Sequence, residues 1–163
     1  MNELYRVLTT IQNPKLRAYV LSKLDKAPAY FKTVPASRSG KYHPPSTRGE
    51  GGLVKHTVAT AKMVKLLGSC DYFGIDRHEL DYMIAAAVLH DIFKYGKEEE
   101  AGDYNENHAS DAADMCSDWP NPKLGAYIRS HMASFGNNRP GTLPAALVGL
   151  ADFIASRETI EVQ

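Results

Sequence analysis

The chain has 163 residues, of which 44% are hydrophobic and 23% are charged, so it suits one domain with a buried core. Its 19 basic and 19 acidic side chains cancel, which excludes an overall charge that favours long nucleic acids or membranes. No apolar run approaches a membrane span, and Cys70 and Cys116 form no metal-type pair. We therefore expect a cytoplasmic protein with reduced cysteines.

Hydrophobic residues recur at helical spacing along most of the chain and strand patterns are weak, which predicts an all-α fold. Asn13-Pro14 is a helix cap followed by proline at the first helical position. Asp76 and Glu79 have the spacing of a capping box that opens a third helix, predicted to carry His90 and Asp91 and to end at Gly96. The other predicted helices are Pro14 to before Pro28, Leu53–Leu67, His108–Cys116, Pro122–Ala133 and Pro144–Arg157.

Residues 28–52 interrupt this helical pattern, since they hold four of the nine prolines and four of the twelve glycines. An irregular segment of this length in a compact domain is usually functional or disordered. The segment is basic and leads directly into the helix that bears His56. Its side chains of interest are the cations Lys32, Arg38, Lys41 and Arg48, together with His43, and the predicted anchors Tyr30, Phe31, Val34 and Tyr42.

The His90-Asp91 doublet lies at the end of an apolar run, where burying an imidazole and a carboxylate is costly unless each has a partner. A divalent metal suits both groups. Other residues could join the doublet. The three histidines among them each have a structural explanation alone, as a core residue, a surface residue or a helix-dipole partner, whereas a lone acid in the apolar run around Asp152 needs a partner. The residues that could join the doublet are His56, His108, His131 and Asp152.

Taken in chain order, these residues resemble the signature of the HD-domain superfamily of metal-dependent phosphohydrolases. That signature is a His, a His-Asp doublet and a distant Asp on a helical bundle. The resemblance covers about Pro35 to Arg157 and is closest to small HD-domain proteins of phages and bacteria. It includes the segments Gly51-Gly52-Leu53-Val54-Lys55-His56-Thr57 and Leu89-His90-Asp91. We expect a single HD domain over residues 1–163, with N-terminal helices in 1–34 and a metal-binding core in 35–157 that follows the long basic loop.

The resemblance implies that the first metal is bound by His56, His90, Asp91 and Asp152. In relatives with two metals, Asp91 would bridge to a second ion bound by His108 and His131. Histidine nitrogens with few carboxylates suit Mn²⁺, Fe²⁺, Co²⁺, Ni²⁺ or Zn²⁺ better than Mg²⁺. The nucleophile would be a water activated by the metal.

A lysine at the position of Lys94 often lies near the substrate phosphate in this superfamily, which makes Asp91 and Lys94 the candidate catalytic residues. Arg38, Lys41 and Arg48 are candidate phosphate contacts. His43 is a candidate substrate contact and general acid. Tyr42 and Phe135 are further candidates to flank a base or sugar, and Arg157 either reaches the site or caps the last helix.

The function that we expect is a phosphomonoesterase or phosphodiesterase, with a small nucleotide, a cyclic nucleotide or a short nucleic-acid end as substrate. Two alternatives remain open. HD-fold oxygenases with a mixed-valent di-iron centre use the same six ligand positions, and a non-catalytic nucleotide-binding module needs the same metal. Neither a membrane nor a long polymer is an expected partner, and an oligomer is compatible with the sequence.

Overall fold

The computed structural model describes residues 2–132 and 139–157, and these residues form helices and no strand, which confirms the all-α prediction. Phe135 and the predicted end of a helix at Ala133 lie outside the described residues. The α-helices are α1 (Asn2–Leu8), α2 (Pro14–Leu24), α3 (Gly52–Gly68), α4 (Arg77–Leu89), α5 (His108–Met115), α6 (Lys123–Ser130) and α7 (Leu143–Ala155).

The predicted third helix is too long at its C-terminal end, because α4 stops at Leu89 and the His90-Asp91 doublet follows it. After Leu89 the backbone changes to hydrogen bonds spaced by three residues, from Ile92 N to Leu89 O and from Lys94 N to Asp91 O. A left-handed glycine, Gly96 with φ 99°, ends these turns. The doublet therefore lies in a tight series of turns at the end of a rigid helix.

Helix α4 is the centre of the fold. All of its residues from Leu80 to Leu89 are buried, and it packs against α1, α2, α3, α6 and α7. Because this part of the helix has no solvent-facing side, the pattern of its apolar residues does not show which neighbouring element each face contacts. Its burial on all sides fixes the position of the turns that follow it.

The N-terminal helices are tied to α4 by a buried carboxylate. Asp81 accepts hydrogen bonds from the backbone N–H groups of Gln12 and Asn13, at 2.9 and 2.7 Å. The predicted capping box is half formed: the Asp76 side chain accepts from Glu79 N, whereas the Glu79 carboxylate binds Lys123 on α6. These polar contacts hold α1, α2 and α6 around the central helix.

The long loop before α3 contains two short 3₁₀ turns, Ala29–Lys32 and Pro45–Thr47, and is otherwise irregular. Tyr30 is a true anchor: it is buried, its hydroxyl donates to Gly96 O at 2.6 Å, and it accepts from Tyr95 N at 3.1 Å. The expectation that Tyr42 also anchors the loop is wrong, because its side chain is 54% exposed. Tyr30 thus links the loop to the turns that follow His90 and Asp91.

The end of the loop is fixed to the start of α3 by backbone hydrogen bonds. Gly51 N donates to Thr33 O at 2.9 Å and Leu53 N donates to Val34 O at 3.0 Å. Gly52 lies between them with no room for a side chain, because a Cβ there would lie 2.0 Å from Thr47 O. The loop and the helix that bears His56 are therefore one packed unit.

None of the helices in the described parts of the chain combines the length and the apolar character needed to cross a bilayer.

We predict that Gly52→Ala destabilises the fold by about 2 to 3 kcal/mol, since the added methyl group meets backbone atoms that cannot move independently. Gly49→Ala is the matched control, because a Cβ at Gly49 has no atom within 4 Å and its stability should change by less than about 0.5 kcal/mol. Urea denaturation measures both values. Equal stabilities for the two variants would contradict the close packing at Gly52.

Candidate metal centre

The six residues predicted as metal ligands converge at one place although they come from five parts of the chain. His56 lies on α3, His90 and Asp91 in the turns after α4, His108 at the start of α5, His131 just after α6, and Asp152 on α7. All are buried except Asp152, whose side chain is 18% exposed. Helices that are distant in sequence thus direct imidazoles and carboxylates into one cavity.

The first group of contacts surrounds one oxygen of each carboxylate. His56 Nε2 lies 2.9 Å from Asp152 Oδ1 and 3.5 Å from Asp91 Oδ2. His90 Nε2 lies 3.5 Å and 3.4 Å from the same two oxygens. Two imidazole nitrogens and two carboxylate oxygens therefore face a common point, as four ligands of one ion would.

The second group uses the other oxygen of Asp91. Its Oδ1 lies 3.2 Å from His108 Nε2 and 3.7 Å from His131 Nε2. Asp91 thus presents Oδ2 to one pair of histidines and Oδ1 to another. This is the arrangement that a carboxylate needs to bridge two ions.

The backbone determines which nitrogen of three histidines is available. The Nδ1 atoms of His90, His108 and His131 each lie 2.7 Å from a carbonyl oxygen three residues earlier, those of Ala87, Asn105 and Ile128. A carbonyl oxygen only accepts, so each Nδ1 must carry the proton. In the neutral imidazole each Nε2 then presents a lone pair to the cavity, and an Nδ1–H bond to a backbone carbonyl is the usual outer contact of a metal-ligating histidine.

The Nε2 atoms lie in two close pairs, and this supports the presence of a cation. His108 Nε2 and His131 Nε2 are 3.0 Å apart, and His56 Nε2 and His90 Nε2 are 3.4 Å apart. Two unprotonated imidazole nitrogens at such a distance repel, so a proton or a metal ion is expected between the members of each pair. Three sets of ligand atoms within 4.8 Å of one another fit a transition ion: His56-His90-Asp91, His90-His131-Asp152 and Asp91-His108-His131.

The electrostatics of the cavity also favour positive charge. Burial opposes ionisation of Asp91, but His90 and Lys94 hold the pKa of Asp91 well below its ordinary value. Burial likewise opposes ionisation of Asp152, whose pKa is held low by hydrogen bonds with His56 and His90. The buried carboxylate of Asp91 and the largely buried carboxylate of Asp152 therefore remain charged and require cations around them.

Lys94 contacts Asp91 directly, with Nζ 2.5 Å from Oδ2. Burial lowers the pKa of Lys94, but the charge of Asp91 raises it above the ordinary value, so the amine is charged. The two residues are brought together by the three-residue turns that follow α4, in which Lys94 N donates to Asp91 O. The contact places a cation beside the carboxylate that faces both histidine groups.

Three of the six candidate ligands, Asp91, His108 and Asp152, line an open cleft of about 400 Å³, a volume typical of small-molecule sites. Aromatic and small polar residues surround it. The lining is Ser37, Arg38, Ser39, Tyr42, His43, Asp91, Lys94, Tyr95, Tyr104, His108, Met132, Asp152, Ser156 and Arg157.

His43 is the most unusual residue of the lining. It is 8% exposed, its ring lies 5.2 Å from the ring of His56, and neither of its nitrogens has a hydrogen-bond partner within the described chain. Burial, with the nearby charges of His56 and Lys94, lowers the pKa of His43 to about 4. A buried, neutral imidazole with two unsatisfied nitrogens is a group that a ligand would complete.

The basic residues of the loop occupy different positions around the cleft. Arg38 lines it, but its guanidinium already donates to Ala101 O and Gly102 O and lies 3.4 Å from Asp103. Lys41 is exposed beside Tyr42, and the Nε of Arg48 donates to the carbonyl oxygen of His43. Neither Lys41 nor Arg48 is part of the lining.

Six residues of the cleft lining were not singled out as site residues from the sequence, namely Ser37, Ser39, Tyr95, Tyr104, Met132 and Ser156. Tyr104 stacks edge-on against the His108 ring at 5.4 Å, and Met132 follows His131. Tyr104 lies in an irregular segment whose composition gives no signal, although its place four residues before His108 could have suggested a contact. The place of Met132 in the cleft could have been inferred only from its position next to His131.

Comparison with known proteins identifies the family of the chain. The sequence profile of the HD domain matches residues 53–156, and the chain belongs to the HD domain family. A curated relative, the dihydroneopterin 2′,3′-cyclic phosphate phosphodiesterase of Methanocaldococcus jannaschii, is 27% identical over 169 residues, which cover 93% of this chain and 67% of the relative. No solved structure matches the chain significantly.

We predict that a divalent transition metal stabilises the protein, because it satisfies lone pairs and carboxylates that otherwise repel. At about 100-fold above its Kd, the metal should raise Tm by roughly 5 to 10 °C, and chelator should reverse the change. Asp91→Asn should remove this response, while the exposed Asp114→Asn should retain it. Differential scanning calorimetry with metal analysis measures the effect, and an unchanged Tm with stoichiometric metal bound would contradict the role of these contacts.

Proposed function

We propose that this protein is a metal-dependent phosphoesterase that hydrolyses a small phosphorylated substrate, either a nucleotide or a cyclic nucleotide. The observation that carries the proposal is the setting of Asp91, whose two oxygens face two histidine pairs while Lys94, which lines the same cleft, contacts it. The relative that cleaves a 2′,3′-cyclic phosphate supports the same reaction class.

Hydrolysis forms a bond from a water oxygen to phosphorus, breaks a P–O ester bond, and delivers a proton to the leaving oxygen. A bound divalent ion supplies Lewis acidity and lowers the pKa of a water that it holds. His56, His90, Asp91 and Asp152 would hold the first ion, and in a two-ion centre His108 and His131 would hold the second with Asp91. The ligand set suits several transition ions, and we choose manganese from among them for the assay.

Lys94 and His43 are the residues that we assign to the phosphate. The Lys94 amine carries three N–H groups, of which one is directed to Asp91, so the others can donate to phosphoryl oxygens. His43 has a ring nitrogen available for a further hydrogen bond. Arg38 would contribute at the rim, while Lys41 and Arg48 would act only through their charge.

The six ligands themselves do not distinguish hydrolysis from the alternative chemistry of a di-iron oxygenase or from simple binding. The cationic lining favours a phosphorylated ligand, since Lys94, Arg38 and Arg157 all line the cleft. Long nucleic acids are disfavoured by a net charge of zero. We therefore place a small phosphate ester ahead of the other candidates.

We predict that the manganese-loaded protein releases phosphate or opens the ring of at least one member of a panel of mono-, tri- and cyclic nucleotides. Phosphate release and product chromatography provide the measurement, and Asp91→Asn should abolish turnover together with metal binding. Turnover without iron and without O₂ eliminates the oxygenase. Absence of turnover across the panel by fully metal-loaded protein would reject the hydrolase proposal.

We predict that Lys94→Met lowers kcat by about 100-fold, because it removes a positive charge that stabilises the phosphoryl group in the transition state. Metal content, measured by plasma emission spectroscopy, should stay at the wild-type level. Lys55→Met is the control, since Lys55 is exposed on α3. A wild-type kcat in Lys94→Met with full metal content would show that Lys94 does not act on the substrate.

A further inference from the structure

The end of the cleft formed by the C-terminus of α7 contains an arginine held by aromatic rings. The guanidinium carbon of Arg157 lies 4.2 Å from the ring centre of Phe153 and 5.7 Å from that of Tyr42. Stacking on rings restrains the plane of a guanidinium and leaves its in-plane N–H groups available. Tyr42 does not anchor the loop, but its exposed ring helps to hold the Arg157 guanidinium in place.

The N–H groups of Arg157 differ from those of the other arginine in the lining. Arg38 donates to backbone carbonyls and approaches Asp103, so its hydrogen-bonding capacity is largely used within the protein. Within residues 2–132 and 139–157, no carboxylate forms an ion pair with Arg157, and its buried Nε has no hydrogen-bond partner. A buried donor of a charged group without an acceptor is costly, which indicates that an anion completes it.

Arg157 lines the same cleft as Asp91, Lys94 and Asp152, and it lies just beyond the last turn of α7. The two cations Lys94 and Arg157 have different settings, because Lys94 pairs with Asp91 whereas Arg157 contacts the rings of Phe153 and Tyr42. A ligand whose single phosphate group bound only at the candidate metal centre would leave the Nε of Arg157 unsatisfied.

We propose that Arg157, supported by Tyr42 and Phe153, forms a second anion subsite, so that the substrate carries an anionic group in addition to the phosphate that is hydrolysed. The chemical class is a nucleotide with two separate phosphate groups. This inference rests on the proposed function, because it assumes that the scissile phosphate occupies the metal centre. It extends that function by requiring a substrate with charge at both ends.

The test compares adenosine 2′,3′-cyclic phosphate with the same nucleotide bearing a 5′-phosphate, using manganese-loaded protein. The wild type should have a KM about tenfold lower for the 5′-phosphorylated nucleotide, and Arg157→Gln should remove most of this preference. Tyr42→Leu should reduce the preference and Tyr42→Phe should retain it, since only the ring supports the arginine. Arg129→Gln, at an exposed arginine paired with Asp114, should leave the preference unchanged.

Equal KM values for the two nucleotides in the wild type, or a KM raised equally for both by Arg157→Gln, would overturn the subsite. Circular dichroism melting confirms that each variant is folded. If neither nucleotide is hydrolysed, the proposed function fails for this substrate pair, and calorimetric binding of the same pair to the metal-loaded protein decides the subsite separately. Tenfold tighter binding of the 5′-phosphorylated nucleotide, lost in Arg157→Gln, would then support it, and equal binding would reject it.

Discussion

The structure depends on one electrostatic constraint, the need to satisfy buried imidazoles and ionised carboxylates where five helices meet. His108 and His131 bring their Nε2 atoms to 3.0 Å, and their Nδ1 protons are already used by backbone carbonyls. Removing such groups from water without a partner costs several kcal/mol, so a cation is the natural completion of the fold. The bundle and its metal are therefore expected to be thermodynamically linked.

The scaffold meets this constraint by placing each histidine where the backbone can orient it. His90 and His131 follow the last turns of α4 and α6, and His108 begins α5, so each ring can reach a carbonyl three residues earlier. The contact fixes the tautomer and the direction of the ring. The close packing of α4 on all sides then keeps the Asp91 oxygens between the two histidine groups.

Much of this arrangement could be predicted from the sequence, because helical periodicity and the order of His and Asp residues are local signals. The position at which α4 ends could not be predicted, since Val88, Leu89 and Ile92 continue the apolar pattern while the backbone changes to three-residue turns. The environment of His43 was also hidden, because loop composition does not show that His43 is buried and that Tyr42 beside it is exposed. The partners of Arg157 come from two distant segments, and no spacing rule connects Tyr42 with Phe153.

The close fit at Gly52 has a consequence for how such a protein can diversify. Backbone hydrogen bonds on both sides of this glycine hold residues 33–36 and 47 against α3, whereas residues 37–43, between these attachment points, contribute the rim of the opening. Replacements at residues 37–42 can change the shape of this rim without moving the candidate ion-binding groups. A protein of this kind can therefore accommodate a different ligand through a few exchanges at the opening, with its interior unaltered.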